Sequence, residues 1–250
     1  MGRAIIGFHR INSKDTKRRV ERIRPILRGR DIKRYSYTWA SLYIIATFPA
    51  LKIDIERYPA VKAHLLSFGM ERVEQTGKSY IIDGKRITAR KKTGNKWFET
   101  QDQIGYWEDF SKPKIIWAEL ARTGNAFTFD CGNYCVSNTG YILILNKKAE
   151  SVIGYELLLA FLNSKAILFY LDTICSRLDQ TGWRWLRQFV EVLPVPQIEK
   201  SKHGQLAKLI MSELQTKTTF GQIQIEKSIE DCFGFNELER NYLQTHVLPL

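Results

Sequence analysis

"PKIIWAELARTGNAFTFDCGNYCVSNTGYILILN", residues 113–146, decides the architecture of this chain. β-branched and aromatic residues come in short runs, PKIIWAEL, NAFTFD, NYCVS and YILILN, separated by Gly, Asn and Thr. That is the pattern of short strands joined by turns in a mixed sheet. Directly downstream the period changes. Ser151 to Ile174 reads as one long helix, residues 189–200 (FVEVLPVPQIEK) as an extended connector punctuated by proline, and residues 201–250 as two or three helices with a break at Phe233-Gly234-Phe235. The most apolar stretch, VIGYELLLAFLNSKAILFYL (152–171), is interrupted by Glu156, Asn163, Ser164 and Lys165, so it suits a buried core helix better than a bilayer span. Leu157, Leu158, Phe161, Leu162, Ile167 and Leu168 are its expected packing residues.

Upstream, a short apolar segment (Ile5, Ile6, Phe8) precedes a basic stretch. SLYIIATFP (41–49) is a strand candidate closed by Pro49. ERYPAVKAHLLSFGMERVEQTG (56–77) reads as a helix from Pro59 onward, with Val61, Leu65 and Phe68 at helical spacing and Gly77 ending it. In SYIIDGKRITAR (79–90), Asp83-Gly84 between two β-rich runs predicts a hairpin turn. KKTGNKWFETQDQIGYWEDF (91–110) reads as an ordered surface loop. The fold class is therefore α/β (α+β): a mixed-sheet body over 1–150, then a core helix, a Pro-rich connector and a helical tail over 151–250.

The chain carries 38 Lys+Arg against 26 Asp+Glu, a net charge of +12. Residues 1–100 hold 23 of the cations and only 9 of the acids, so the basic surface belongs to the first two-fifths. Such a surplus favours a polyanionic partner, through long-range attraction and release of counterions. Four cysteines, with Cys131 and Cys135 as C-x3-C, are too scattered for a disulfide framework and lack a second ligand pair for zinc. MGRAIIGFHR at the start has no long apolar region, so a cytoplasmic location without a membrane partner is expected.

No phosphate-binding Gly loop, H-E-x-x-H or nucleophile-elbow pattern occurs, and the four histidines are dispersed. Asp54 with Asp83-Gly84-Lys85 imitates the carboxylate-and-lysine arrangement of Mg²⁺-dependent nucleases. A tight hairpin turn demands the same Asp-Gly pair. Stronger is the clustering of Lys85, Arg86, Arg90, Lys91, Lys92 and Lys96 with Asn95 and Trp97. These types can neutralise phosphates, grip guanine, pair with adenine and stack on a base. A second basic motif, RPILRGRDIKRYSY (24–37), holds Arg28, Arg30, Lys33 and Arg34 beside Leu27 and Ile32, with Gly29 as a candidate turn. The apolar pair would anchor that turn while the guanidinium groups face an anion, or Asp31 would hold Arg30 or Arg34 in a local ion pair.

PILRGRDIKRY, YPAVKAHLLSF, KKTGNKWFETQDQIGYWEDFSKPKIIWAEL, LLLAFLNSKAILFYL, VLPVPQ and IEDCFGFNELERNYL occur in that order. Together they resemble the C-terminal target recognition (specificity) domain of type IIG restriction-modification enzymes and TaqI-like adenine-N6 DNA methyltransferases, from about Ile23 to the end of the chain. The resemblance implies sequence-specific binding of double-stranded DNA. It implies no catalysis by this chain alone, because no Asn-Pro-Pro-Tyr tetrad or S-adenosylmethionine motif is present. S-adenosylmethionine and Mg²⁺ would then be held by a methyltransferase or endonuclease domain or subunit, and this chain would be a fragment, a split specificity subunit or a truncated reading frame. The residues expected to contact DNA are Arg28, Arg30, Lys33, Arg34, Arg86, Arg90, Lys91, Lys92, Asn95, Lys96 and Trp97. Because family members read different sequences, LRGRDIKRY suits phosphate positioning, and 86–97 suits base reading. The alternatives are a small Mg²⁺-dependent nuclease using Asp54, Asp83 and Lys85, and an interaction module that keeps the fold without binding DNA.

Overall fold

A computed structural model describes residues 22–122, 126–179, 182–196, 198, 200–216 and 219–246. The segment carrying Ile5, Ile6 and Phe8 lies outside them. In chain order the strands are β1 (Ile23–Leu27), β2 (Ile32–Lys33), β3 (Ser36–Tyr37), β4 (Tyr43–Ile45), β5 (Ser79–Ile82), β6 (Lys85–Thr88), β7 (Lys114–Ala118), β8 (Leu120–Arg122), β9 (Phe127–Asp130), β10 (Cys135–Val136), β11 (Gly140–Leu143), β12 (Ser176–Asp179) and β13 (Gly182–Arg184). The helices are α1 (Pro59–Leu66), α2 (Met70–Val73), α3 (Lys147–Val152), α4 (Gly154–Leu162), α5 (Lys165–Ile174), α6 (Arg187–Val190), α7 (Lys200–Thr216), α8 (Thr219–Phe233) and α9 (Glu237–His246). The expected α/β class with a mixed sheet and a helical tail is what the chain adopts.

The chain does not divide at residue 150. Its two compact units are discontinuous: one comprises 22–25 and 43–107, the other 26–42 and 108–246 of the described residues. In the smaller unit the first residues of β1 pair antiparallel with β4, Ile23 with Ile45 and Pro25 with Tyr43. Ile53, Ile55, Val61 and Phe98 form its core, with Ile23, Ile45, Leu65 and Trp97 packed against them. The strand expected over 41–49 is realised only at Tyr43–Ile45. The helix expected over 59–77 is two helices. Its end tightens into a Gly69 N–H to Leu66 carbonyl bond, and Gly69 then takes φ +88°, a left-handed value open to glycine but costly for other residues. Phe68, read as a packing residue, sits in that break and is exposed.

In the larger unit β7 is the centre of an antiparallel sheet of order β11-β7-β9. Every residue of β7 is buried, Lys114 included. Its ammonium donates to the Phe110 carbonyl at 2.8 Å and to the Asp130 carboxylate, and Asp130 also accepts the Gly132, Asn133 and Tyr134 amides, so the buried pair is fully bonded. β12, β13 and β8 make a second antiparallel sheet that the sequence pattern does not announce. Trp117 stacks on Tyr141 and Phe127 on Trp185, and these rings meet Leu158, Leu162 and Ile167 in the main core.

The predicted long helix is three. Gly154, at φ +72°, separates α3 from α4, and α4 and α5 are bent by 58°. The bend has a specific cause. Asn163, fully buried, turns its side chain away from the helix to accept the Phe127 amide and donate to the Phe127 carbonyl, both at 2.9 Å. Ser164 then caps α5 by accepting the Ile167 amide. α4 is apolar apart from Glu156 because it is covered twice. One side meets the sheet core, and the other, through Leu157, Ala160 and Phe161, meets Leu206, Ile210, Ile225 and Ile229 of the helical tail. The break at Phe233-Gly234-Phe235 is present, with Gly234 at φ +72°. Among the described residues no single helix is long and apolar enough to cross a membrane.

Candidate nucleic-acid interface

The smaller unit carries the hairpin and the loop after it. β5 and β6 pair in the register Ser79 with Thr88, Tyr80 with Ile87, Ile81 with Arg86 and Ile82 with Lys85. Asp83 at φ +50° and Gly84 at φ +72° occupy the two central positions, as a two-residue turn of this twist requires. Alternation along the strands gives the ribbon two faces. Tyr80, Ile82 and Ile87 are half-buried, and the Tyr80 hydroxyl donates to the Glu74 carboxylate. Ser79, Ile81, Arg86 and Thr88 line the other face and are all exposed. There the Ser79 and Thr88 hydroxyls lie 3.2 Å apart, and Arg86 donates to Ser79 at 3.3 Å. Lys85 is exposed at the turn. Asp83 is thus turn geometry, while Asp54 caps a short 3-10 turn by accepting the Glu56 amide. Among the described residues no group of three or more His, Cys, Asp or Glu could hold a metal ion.

The loop is braced from within. The Arg90 guanidinium donates to the Val73, Trp97 and Glu99 carbonyls, a fork joining the end of α2 to the 97–99 segment of the loop, and burial lowers its pKa from the usual arginine value. Gln75, buried, donates to the Lys96 carbonyl at 3.0 Å and the Glu99 carbonyl at 2.7 Å and accepts the Thr93 hydroxyl at 2.6 Å. The Asn95 amide donates to the Thr100 and Gln101 carbonyls at 2.9 and 3.1 Å. Glu99, also buried, accepts the Lys96 amide at 2.8 Å. Trp97 is half-buried, edge-on to Phe98 and packed on the core cluster. Arg90, Asn95 and Trp97, expected to touch DNA, are therefore committed to holding the loop's shape. Lys91, Lys92 and Lys96 are exposed, the last with its ammonium 5.7 Å from the Phe98 ring. Residues 78–96 hold seven Lys or Arg and a single acid.

The larger unit carries the other basic motif from Ile26 onward. Leu27 and Ile32 are fully buried, the anchors that the motif calls for. Between them Gly29–Asp31 forms a 3-10 turn. Gly29 is there for close approach rather than as a hinge: its amide donates to Thr139 Oγ1 at 2.9 Å, and a Cβ would stand 2.5 Å from the Thr139 carbonyl oxygen. Asp31 holds Arg28, not Arg30 or Arg34. Its carboxylate accepts Arg28 Nε at 3.0 Å, Nη2 at 2.7 Å and the Arg28 amide at 2.9 Å. Burial pushes the Asp31 carboxyl up, but those bonds outweigh it and hold the group below the usual value. Arg34 donates to the Asn163 carbonyl at 2.7 Å, pairs with Glu226 at 3.5 Å and lies over the Tyr35 ring. It thus ties the β2–β3 turn to the helix bend and to α8. Arg30 and Lys33 are exposed.

Gln75 and Glu99 escape a reading of the sequence because nothing in their spacing distinguishes a buried amide or carboxylate from a solvated one. Arg90 escapes it because it stands beside Lys91 and Lys92 in one basic run.

No curated protein sequence matches the chain. Among solved structures, a type IIL restriction-modification enzyme, MmeI, determined in complex with DNA, matches with a TM-score of 0.52 over 90% of this chain at 11% identity, a likeness of fold. The chain covers 31% of that structure's length. Residues 24–195 match the TaqI-like C-terminal specificity domain, which takes in the basic turn, the hairpin, the braced loop, the central sheet and the α4–α5 bend. On that match, extending over well more than half of its length, the chain belongs to the TaqI-like C-terminal specificity domain family.

Proposed function

We propose that this chain is the sequence-specific, double-stranded-DNA-recognising part of a restriction-modification or adenine-N6 methyltransferase system, and that it is not itself catalytic. The observation that carries the reading is the division of labour among its cations within a specificity-domain fold. Arg28, Arg34 and Arg90 are tied to carboxylates or carbonyls, while Arg30, Lys85, Arg86, Lys91, Lys92 and Lys96 are exposed on segments that those ties brace. Exposed cations on a rigid mount are what phosphate positioning needs, because ordering long side chains and loops on binding would cost affinity. The MmeI structure, whose fold this chain shares, was solved with DNA bound, which supports the same reading.

Methyl transfer to a target adenine, and any strand cleavage, would belong to another domain or subunit holding S-adenosylmethionine or Mg²⁺, working in the cytoplasm. The nuclease reading is disfavoured because Asp54 and Asp83 already serve a cap and a turn. The test is duplex binding across a salt series by the chain and by its Arg30→Ala and Lys92→Ala variants. Each substitution is expected to weaken binding by a similar factor on every sequence. Duplex affinity that is absent at low salt, or unchanged in both variants, rejects the reading.

A further inference from the structure

Ile81 is 73% exposed, and it is not an isolated surface residue. It stands directly across the ribbon from Arg86 on the face that also carries Ser79 and Thr88. The opposite face supplies the packing through Tyr80, Ile82 and Ile87. The base of the ribbon is fixed by the Ala89 amide to Lys78 carbonyl and Gly77 amide to Arg90 carbonyl bonds, at 2.8 and 2.9 Å, and by the Arg90 fork. A narrow two-stranded element thus projects one guanidinium, one branched apolar side chain and two hydroxyls from a stiff root. Around it lie the cations of the segment's seven-to-one surplus of Lys and Arg.

A ribbon of this width suits the major groove, about 12 Å across, and is too broad for the minor groove at about 6 Å. The chemistry of its exposed face matches what base pairs show there. An arginine can bond guanine O6 and N7 together, and an aliphatic side chain can cover the 5-methyl of thymine. Cross-strand neighbours stand about 5 Å apart, close to one or two base-pair steps of about 3.4 Å, so the two side chains can reach the same step.

We infer that the exposed face of the β5–β6 hairpin is a base-reading surface for the DNA major groove, with Arg86 reading a guanine and Ile81 the methyl group of a thymine in the neighbouring base pair. This rests on the proposed DNA-binding function and names the specificity-determining residues within it. Ser79 is a positioning residue, since its hydroxyl accepts from Arg86 and sets the direction of the guanidinium.

The test selects preferred sites from a duplex library with a randomised core, using the full chain, and repeats the selection with Arg86→Gln and Ile81→Ser. Both positions are exposed, so the variants should melt with the parent. Arg86→Gln should lose preference for one G·C pair by about 5- to 100-fold while the rest of the site is still selected. Replacing thymine by deoxyuridine at the adjacent pair should weaken the parent about 3-fold and leave Ile81→Ser unaffected. Identical selected sites and identical thymine-to-uracil ratios in all three proteins would overturn the inference while leaving the DNA-binding reading standing, and so would weakening that is equal on every sequence. Failure of the parent to bind any duplex in the library would remove that reading and this inference with it.

Discussion

Arg90 and Lys91 are neighbours of the same charge with opposite duties. Lys91 lies in water, where its loss should leave the fold intact, whereas Arg90 fills the space between three backbone carbonyls. Arg90→Met should therefore destabilise the smaller unit by about 2–4 kcal/mol, because the carbonyls lose their donors without regaining water. Arg90→Lys should recover little of this, since a single ammonium cannot reproduce a planar fork. Urea denaturation of both variants checks it. Asp31 offers a test with the opposite charge. Its folded-state pKa is depressed, so its contribution is complete above the ordinary Asp value of about 4 and is lost as pH falls through the lower folded value. The stability gap between the parent and Asp31→Asn, present at neutral pH, should close on acidification through that window. A gap that widened instead would mean that burial, not Arg28, sets the group's titration. None of these roles is legible in a basic run: Arg28, Arg30, Arg34 and Arg90 differ in surroundings and not in type.

Among the elements, the hairpin was the most legible, because Asp-Gly between two β-rich runs satisfies a backbone requirement that few other pairs can meet. Four of the five strands from 114 to 143 are legible for a similar reason, turn residues spacing out apolar runs. The pattern over 151–174 announces an apolar, buried helix, and the segment is apolar and buried but broken into separate helices. Periodicity reports which side of a helix is buried. It does not report that Asn163 leaves the helix to pair with a strand residue 36 positions earlier. Asn163→Leu should thus cost about 2–4 kcal/mol by stranding the Phe127 amide and carbonyl in a dry core. Measured by chemical denaturation, a loss well below 1 kcal/mol would mean that the bend is set by packing alone. β12 and β13 carry little pattern: SRLD is exposed throughout, GWR is three residues long, and β13 finds its second partner in β8, far back in the chain.

At the scale of the whole molecule, the sequence located the charge but not the units that carry it. Residues 26–42 fold with the segment after 107 and leave 22–25 with 43–107 as a separate unit, an exchange of partners that composition along the chain does not mark. The basic motif and the basic hairpin, near neighbours in sequence, consequently belong to different units. For duplex binding, each exposed lysine that meets a phosphate contributes about one counterion to the salt dependence. Lys91→Ala and Lys92→Ala should each lower the slope of log affinity against log salt by about 1, with site preference unchanged, as read by a titration series in rising salt. A changed preference would move those lysines from the backbone to the bases.

The hairpin leaves and rejoins its unit at one closed rung, where the Ala89 amide meets the Lys78 carbonyl. Everything beyond that rung is a cassette of ten residues with its own turn and its own register. An exchange that kept the inward face of Tyr80, Ile82 and Ile87 would leave the scaffold underneath untouched, and, on the inferred role of the outward face, would switch sequence preference in one step.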